Sequence, residues 1–347
     1  MAEALFGKNT VLINGLLHPI IKISKTLNIV LVGNEFGDSV LFYDLQKLRN
    51  GLLLDTESPE LVKTLEIPGL NEDTRRTQVT LEQCSEPKMV INRMDGGSGG
   101  TSSMYVCDIQ INMPVMCHFE EDIVYDSVME RDLLTCSITE RGVIRDYDIR
   151  CGRKVLTIEP PHGTNYNELN SLNNFIYCAT NSYPNSKEYS LVLIDRRTKN
   201  VLSKVELKHG NKDSPRIKIC SPYLWLYYGC WIDEIRPIQC YQYNPDLKLL
   251  GEYSAPRNNV VFGNVLPTHS GRICCEGLDT FKRLLVYSPT LKHTIWTSLD
   301  LCTRSLEIDG LDYCDGIMVA SMMSPKYYDR RRRPSVLSFW SIDDSLL

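Results

Sequence analysis

An all-β fold, a seven-bladed β-propeller closed by pairing of its N- and C-terminal strands, is what this sequence predicts. Three observations predict it. Short runs rich in Ile, Val, Leu and Tyr recur along the 347 residues, separated by turn residues. The runs come in groups of four, the unit of a propeller blade. One position in the group, the third strand, can be picked out seven times at a blade-like spacing of about 40–45 residues.

The first group reads 20–24, 29–33, 40–45 and 61–67, with Asn34, Gly37 and Asp38 marking the turn between its second and third runs. The clearest later copy covers 132–155. There 133–137 is a strand, 139–142 a turn, 143–149 a second strand, and 151–153 a turn into 154–158. Third strands are expected to start near Val40, Met104, Val143, Leu191, Ile238, Leu284 and Val336. The chain stops just after the last of these, so the missing outer strand is expected from 10–14. Pairing the two ends removes the free sheet edges that invite aggregation. The whole of 1–347 then reads as a single domain. Within it, residues 96–103 (Gly-Gly-Ser-Gly-Gly-Thr-Ser-Ser) have the composition of an engineered linker replacing a longer loop, between strands 88–93 and 104–109. A pair of β-sandwiches is the alternative architecture, and the regular spacing argues against it.

The run Leu133-Leu134-Thr135-Cys136-Ser137, followed by Val143-Ile144-Arg145-Asp146-Tyr147-Asp148-Ile149-Arg150, resembles the second half of a WD40 repeat. Tyr147-Asp148 stands where that family usually has Trp-Asp. Val40-Leu41-Phe42-Tyr43-Asp44 and Val336-Leu337-Ser338-Phe339-Trp340-Ser341 are further matches. The chain thus resembles the divergent WD40-repeat propellers. The Gly-His pair that often opens such repeats is absent. The buried hydrogen-bond network this His helps form is therefore not expected, and apolar packing between blades is expected instead. Asp148-Ile149-Arg150 and Asp195-Arg196-Arg197 each end a third strand, in consecutive blades. The pair resembles the doubled Asp-x-Arg box of WD40 substrate receptors of cullin-4 ubiquitin ligases. That resemblance implies Asp148, Arg150, Asp195 and Arg197 as adaptor-binding residues, although Tyr147 and Ile194 stand where the family has Trp. A structural reading also stands, since a carboxylate at a turn accepts nearby backbone N–H groups and pairs with Arg.

A net charge of −5 argues against attraction of the whole surface to nucleic acid or anionic lipid. No run approaches the roughly 18 apolar residues of a membrane span. The thirteen cysteines sit mostly in apolar runs without C-x-x-C spacing, which reads as buried thiols in a reducing compartment, cytosol or nucleus. The six histidines show no metal-ligand spacing, and no nucleophile elbow or phosphate loop occurs. No cofactor and no metal are expected. His118 with Glu120 and Glu121 reads as a solvated acidic turn.

Partner binding is expected at loops over a rigid frame. Trp231 and Ile232 follow a strand ending at Tyr227-Tyr228 and precede Arg236, a pattern that suits an interface anchor. Tyr183, in the equivalent loop of the previous blade, is expected to share that face, with Tyr166 and Asn258. Tyr327 and Tyr328 precede a basic run, Arg330, Arg331, Arg332 and Arg333, which suits an acidic peptide. The expected function is a non-catalytic scaffold or adaptor in a multi-subunit complex. The alternatives are a ubiquitin-ligase substrate receptor and an enzyme with a channel-centred site, which clustered perturbed ionisable groups would favour.

Overall fold

Strands form where the composition marks them because their side chains can be buried on the face of a sheet. In the strand Thr101–Asp108, Ser102, Met104 and Val106 are buried while Thr101, Ser103 and Tyr105 are more open. The computed structural model describes residues 5–14, 19–24, 27–34, 39–54, 61–66, 74–81, 88–95, 100–109, 115–139, 141–182, 188–207, 215–220, 222–228, 239–254, 260–267, 273–277, 284–288, 293–295, 307–314, 317–323 and 334–342. Among these the strands make seven four-stranded sheets.

The chain divides into two compact units. The first holds three sheets. One is β2 (Pro19–Ser24), β3 (Ile29–Asn34), β4 (Ser39–Asp44) and β5 (Leu61–Glu66). Another is β22 (Val260–Pro267), β23 (Ile273–Gly277), β24 (Leu284–Ser288) and β25 (His293–Ile295). The third runs in the order β26 (Glu307–Cys314), β27 (Ile317–Met323), β28 (Pro334–Ile342), with β1 (Leu5–Asn14) as its outer strand. The expected pairing of the termini is therefore present, with Thr10 opposite Ser338 and Leu12 opposite Val336 in antiparallel register.

The second unit holds four sheets in chain order. They are β6 (Thr74–Leu81) to β9 (Val115–Asp122) through β7 (Lys88–Asp95) and β8 (Thr101–Asp108); β10 (Val124–Glu130) to β13 (Arg153–Ile158) through β11 (Leu133–Ile138) and β12 (Val143–Asp148); β14 (Thr164–Leu172) to β17 (Asn200–Leu207) through β15 (Phe175–Ser182) and β16 (Tyr189–Asp195); and β18 (Pro215–Cys220) to β21 (Leu249–Ser254) through β19 (Tyr223–Tyr228) and β20 (Gln239–Tyr243). Val40, Met104, Val143, Leu191, Leu284 and Val336 all fall in third strands. Ile238 lies outside the described residues, one position before β20.

Two expectations need correction. The link between β4 and β5 contains a helix, α1 (Leu45–Leu54), where only strands were expected. Asp44 caps it, its Oδ1 accepting the Lys47 amide at 2.8 Å. Leu45 and Leu48, three apart on one face, are buried in a cluster with Val30, Val32, Tyr43, Ile317 and Val319. The second correction concerns residues 101–103, expected in a linker. They open β8, Thr101 pairing with β9 and Ser102 and Ser103 pairing with both β7 and β9. Ser102 is buried, and its hydroxyl accepts the Val124 amide at 2.9 Å, tying this sheet to the next.

A repeated irregularity marks the outer strands. In five sheets a bulge falls at one fixed register, between the second- and third-last residues of the third strand. The unpaired residue on the outer strand is Gly7, Val62, Met116, Val155 or Leu202.

In the second unit apolar clusters join each sheet to the next. Val106 and Met104 meet Leu134 and Tyr147; Ile144 and Ile158 meet Ile176 and Ile194; Leu191 and Leu193 meet Leu224 and Leu226. Apolar packing between sheets was expected, but it is not the whole account. Charged side chains are buried between the sheets as well. Glu121 of β9 receives both Arg145 and the Tyr147 hydroxyl of β12. Lys88 of β7 binds Asp132, in the turn after β10, at 2.8 Å. His118, Glu120 and Glu121 thus lie in a strand and not in an acidic turn. His118 stacks on Tyr105 with ring centroids 4.6 Å apart, and Glu121 is held by its two partners.

Candidate protein-docking face

The two Asp-x-Arg boxes close the third strands of consecutive sheets, at the turns into β13 and β17. Asp148 sits opposite Arg153 and Asp195 opposite Asn200, so the boxes occupy equivalent places in the register. The turns are tight, and Lys199 and Gly152 take up positive φ. In each box the carboxylate first fastens its own turn. Asp148 Oδ1 accepts the Arg150 amide at 2.9 Å, and Asp195 Oδ1 accepts the Arg197 amide at 2.9 Å. The arginine then folds back on the same carboxylate. Arg150 Nη2 donates to Asp148 Oδ2 at 2.8 Å, and Arg197 Nε lies 3.5 Å from Asp195 Oδ1. Both arginine side chains remain 70% exposed. The hydrogen bond from the Arg150 guanidinium holds the Asp148 carboxyl down at about pKa 2. The Arg197 amide, followed by its side chain, lowers Asp195 in the same direction. Exposed turns carrying oriented guanidinium groups can bind a carboxylate or phosphate of a partner.

Behind the second box lies a network the sequence did not reveal. Its middle residue, Arg196, is buried and reaches across to the preceding sheet. Arg196 Nε lies 3.0 Å from Asp146 Oδ2, and its Nη2 donates to Thr135 Oγ1 at 2.9 Å. Thr135 in turn donates to Asp146 Oδ1 at 2.7 Å. Arg196 Nη1 donates to the Asn173 carbonyl at 3.1 Å, and Glu130 closes the set by accepting from Ser171 Oγ and the Asn173 amide. Burial pushes the Asp146 carboxyl up, against the pull of Arg196 and Thr135. In the first box the middle residue is Ile149, also buried. Position alone therefore marks this place as interior, and the residue type does not.

A second polar cluster joins the first strands. Asp126 of β10 accepts the Leu169 amide of β14 at 2.9 Å and the Ser127 amide at 2.9 Å. Glu168 of β14 bonds to Asp126 and lies 3.8 Å from Arg216 of β18. Burial raises the Asp126 carboxyl above the ordinary range. Both Asp126 oxygens are engaged by backbone amides, so the cluster works as a staple between sheets.

Trp231, Ile232, Arg236, Tyr183, Tyr327, Tyr328, Arg330, Arg331, Arg332, Arg333 and Asn258 lie outside the described residues. Tyr166, expected on the face that Tyr183 shares, is buried at 2% exposure in the cluster between the sheets of β10 and β14. It is a packing residue. Among the described residues no group of three or more His, Cys, Asp and Glu side chains could hold a metal ion. Among them, too, no helix is long and apolar enough to cross a membrane.

No family model matches the chain, and no curated protein matches it. Solved structures do. The β-propeller domain of Cps50 (Swd1) from Myceliophteria thermophila superimposes with a TM-score of 0.66 at 10% identity, covering 97% of this chain and 100% of that one. At that identity the likeness concerns the fold alone, and the fold is that of an all-β propeller.

Proposed function

We propose that this chain is a non-catalytic protein-binding scaffold: a seven-bladed propeller, closed through its terminal strands, that holds partners in a multi-subunit complex of the cytosol or nucleus. The observation that carries the reading is the pair of boxes. Arg150 and Arg197 occupy matching turns of neighbouring sheets, each oriented by its own Asp, each 70% exposed. Two exposed guanidinium groups at matching turns can meet an acidic group of a partner. A second, narrower reading is a substrate receptor of a cullin-RING ligase. The matching placement of the two boxes supports it: each arginine is paired with a carboxylate of its own turn, yet most of its side chain stays open to an adaptor.

The test is tandem purification of the wild-type chain and of Arg150→Ala/Arg197→Ala from cells. The double variant is expected to keep its melting temperature and to lose partners that the wild type retains stoichiometrically. Equal partner retention by both chains refutes docking through the boxes. A cullin adaptor among the lost partners is what the narrower reading requires, and its absence from the wild-type eluate removes that reading.

A further inference from the structure

The recurrent bulge of the outer strands carries an inference of its own. A bulge blunts a sheet edge by twisting it, which protects against edge-to-edge pairing. Protection needs the twist and is best served by a charged or otherwise polar residue at the bulge. Here the unpaired residue is apolar in four of the five bulges, Val62, Met116, Val155 and Leu202. In the second unit these side chains are turned outward: Met116 is 46% exposed, Val155 53% and Leu202 54%. The outer strand of the following sheet, β21, likewise opens on exposed Leu249 and Leu250. One exposed aliphatic is ordinary, whereas repetition at one register in consecutive sheets is a surface feature.

Cations accompany Val155, Leu202 and Leu249, though not Met116, whose strand carries exposed Glu120. Exposed Arg153 and Lys154 immediately precede Val155. Exposed Lys199 and Lys204 flank Leu202, with Lys204 4.0 Å from exposed Glu206, and exposed Lys248 precedes Leu249. This basic, aliphatic ledge lies on a chain of net charge −5.

We propose that the outer-strand bulges around Val155 and Leu202 form a docking ledge for an acidic protein segment that carries apolar side chains. This rests on the scaffold reading above and adds a second contact surface to it. The charge of the ledge selects an acidic occupant, and the aliphatics select one with apolar anchors. A protein segment suits it better than a bilayer. The aliphatics lie on strands and are half covered by their own sheets, so they cannot reach several ångströms into acyl chains as an interfacial helix does.

The experiment is selection of random dodecapeptides displayed on phage against the full chain, followed by fluorescence anisotropy of the enriched peptides. Enriched peptides are expected to be net negative with at least two Leu, Ile, Val or Phe residues. Their affinity is expected to fall at least tenfold with Val155→Ser/Leu202→Ser, and again with Arg153→Glu/Lys199→Glu. Both variants alter exposed positions and are first checked for an unchanged melting temperature. Enriched peptides that are neutral or basic, or whose binding ignores both variants, overturn the proposal. So does retention of the wild type on phosphatidylserine vesicles, abolished by the same substitutions, when no acidic peptide is enriched. If peptides behave as expected while Arg150→Ala/Arg197→Ala keeps its partners, the boxes fail and the ledge stands. The reverse pair of results removes the ledge alone.

Discussion

Arg196 and Arg197 are neighbours with opposite energetics. Arg196 neutralises Asp146 and lies 4.0 Å from Glu130 in a buried place, so truncating it leaves carboxylates uncompensated. Arg196→Ala is expected to cost about 3–5 kcal/mol. Arg197→Ala, removing an exposed side chain, is expected to stay within about 0.5 kcal/mol. Urea unfolding of the two variants checks the contrast. The Arg196→Ala deficit also has a pH signature. Asp146 already binds its proton more tightly folded than unfolded, and without Arg196 it does so more strongly still. The deficit should therefore shrink as pH falls through the folded pKa and grow as pH rises through it. Asp148 has the opposite sign. Its carboxyl is lowered to about 2, so carbon-detected NMR should find it ionised at pH 3, its pairing with Arg150 giving way only as pH falls through about 2. At the turn between β11 and β12, Gly142 has φ +62° and a side chain there would meet Asn165 Cα at 2.9 Å. Gly142→Ala is expected to destabilise by about 1–2 kcal/mol or more from backbone handedness alone, read as a lowered melting temperature. The boxes were legible because Asp at a turn has a local signature. Arg196 was not, because its carboxylate partners lie 50 and 66 positions away in sequence and no local pattern records them.

At the scale of the element, third strands were the most legible parts, and for a physical reason. Flanked by neighbours on both sides, an inner strand can be deeply buried, as in β16, where every residue from Tyr189 to Asp195 is buried. Such strands read as continuous apolar runs ended by Asp. Outer strands are paired on one side only and read weakly; the β17 pattern is mostly exposed. The bulges were invisible for a related reason. A one-residue insertion opposite a partner is a relation between two strands, and composition along one strand does not express it. Helix α1 was legible in principle: Asp44 followed by Leu45 and Leu48 has the spacing of a capped amphipathic turn. The blade pattern masks it by requiring a strand next, and β5 follows only after the helix.

Across the whole molecule, repetition identified the propeller class, although pairwise identity to a solved propeller is only 10%. What a blade requires is a period and a pattern of burial, and many residue sets satisfy both. The closure of the last sheet was legible from counting strands, and it makes a prediction. Removing residues 5–14 leaves β28 as an unpaired edge, so the truncated chain is expected to aggregate, checked by light scattering at the temperature where the full chain stays monodisperse. The same pairing imposes a timetable during synthesis. β1 leaves the ribosome well before its partner β28. About 320 residues separate them, which at about 5–20 residues per second is roughly 15–65 s of waiting. For that interval a ten-residue strand, Leu5–Asn14, has no mate within the chain. A nascent chain of this protein is therefore expected to keep β1 shielded, by the ribosome surface or a chaperone, until β28 has emerged.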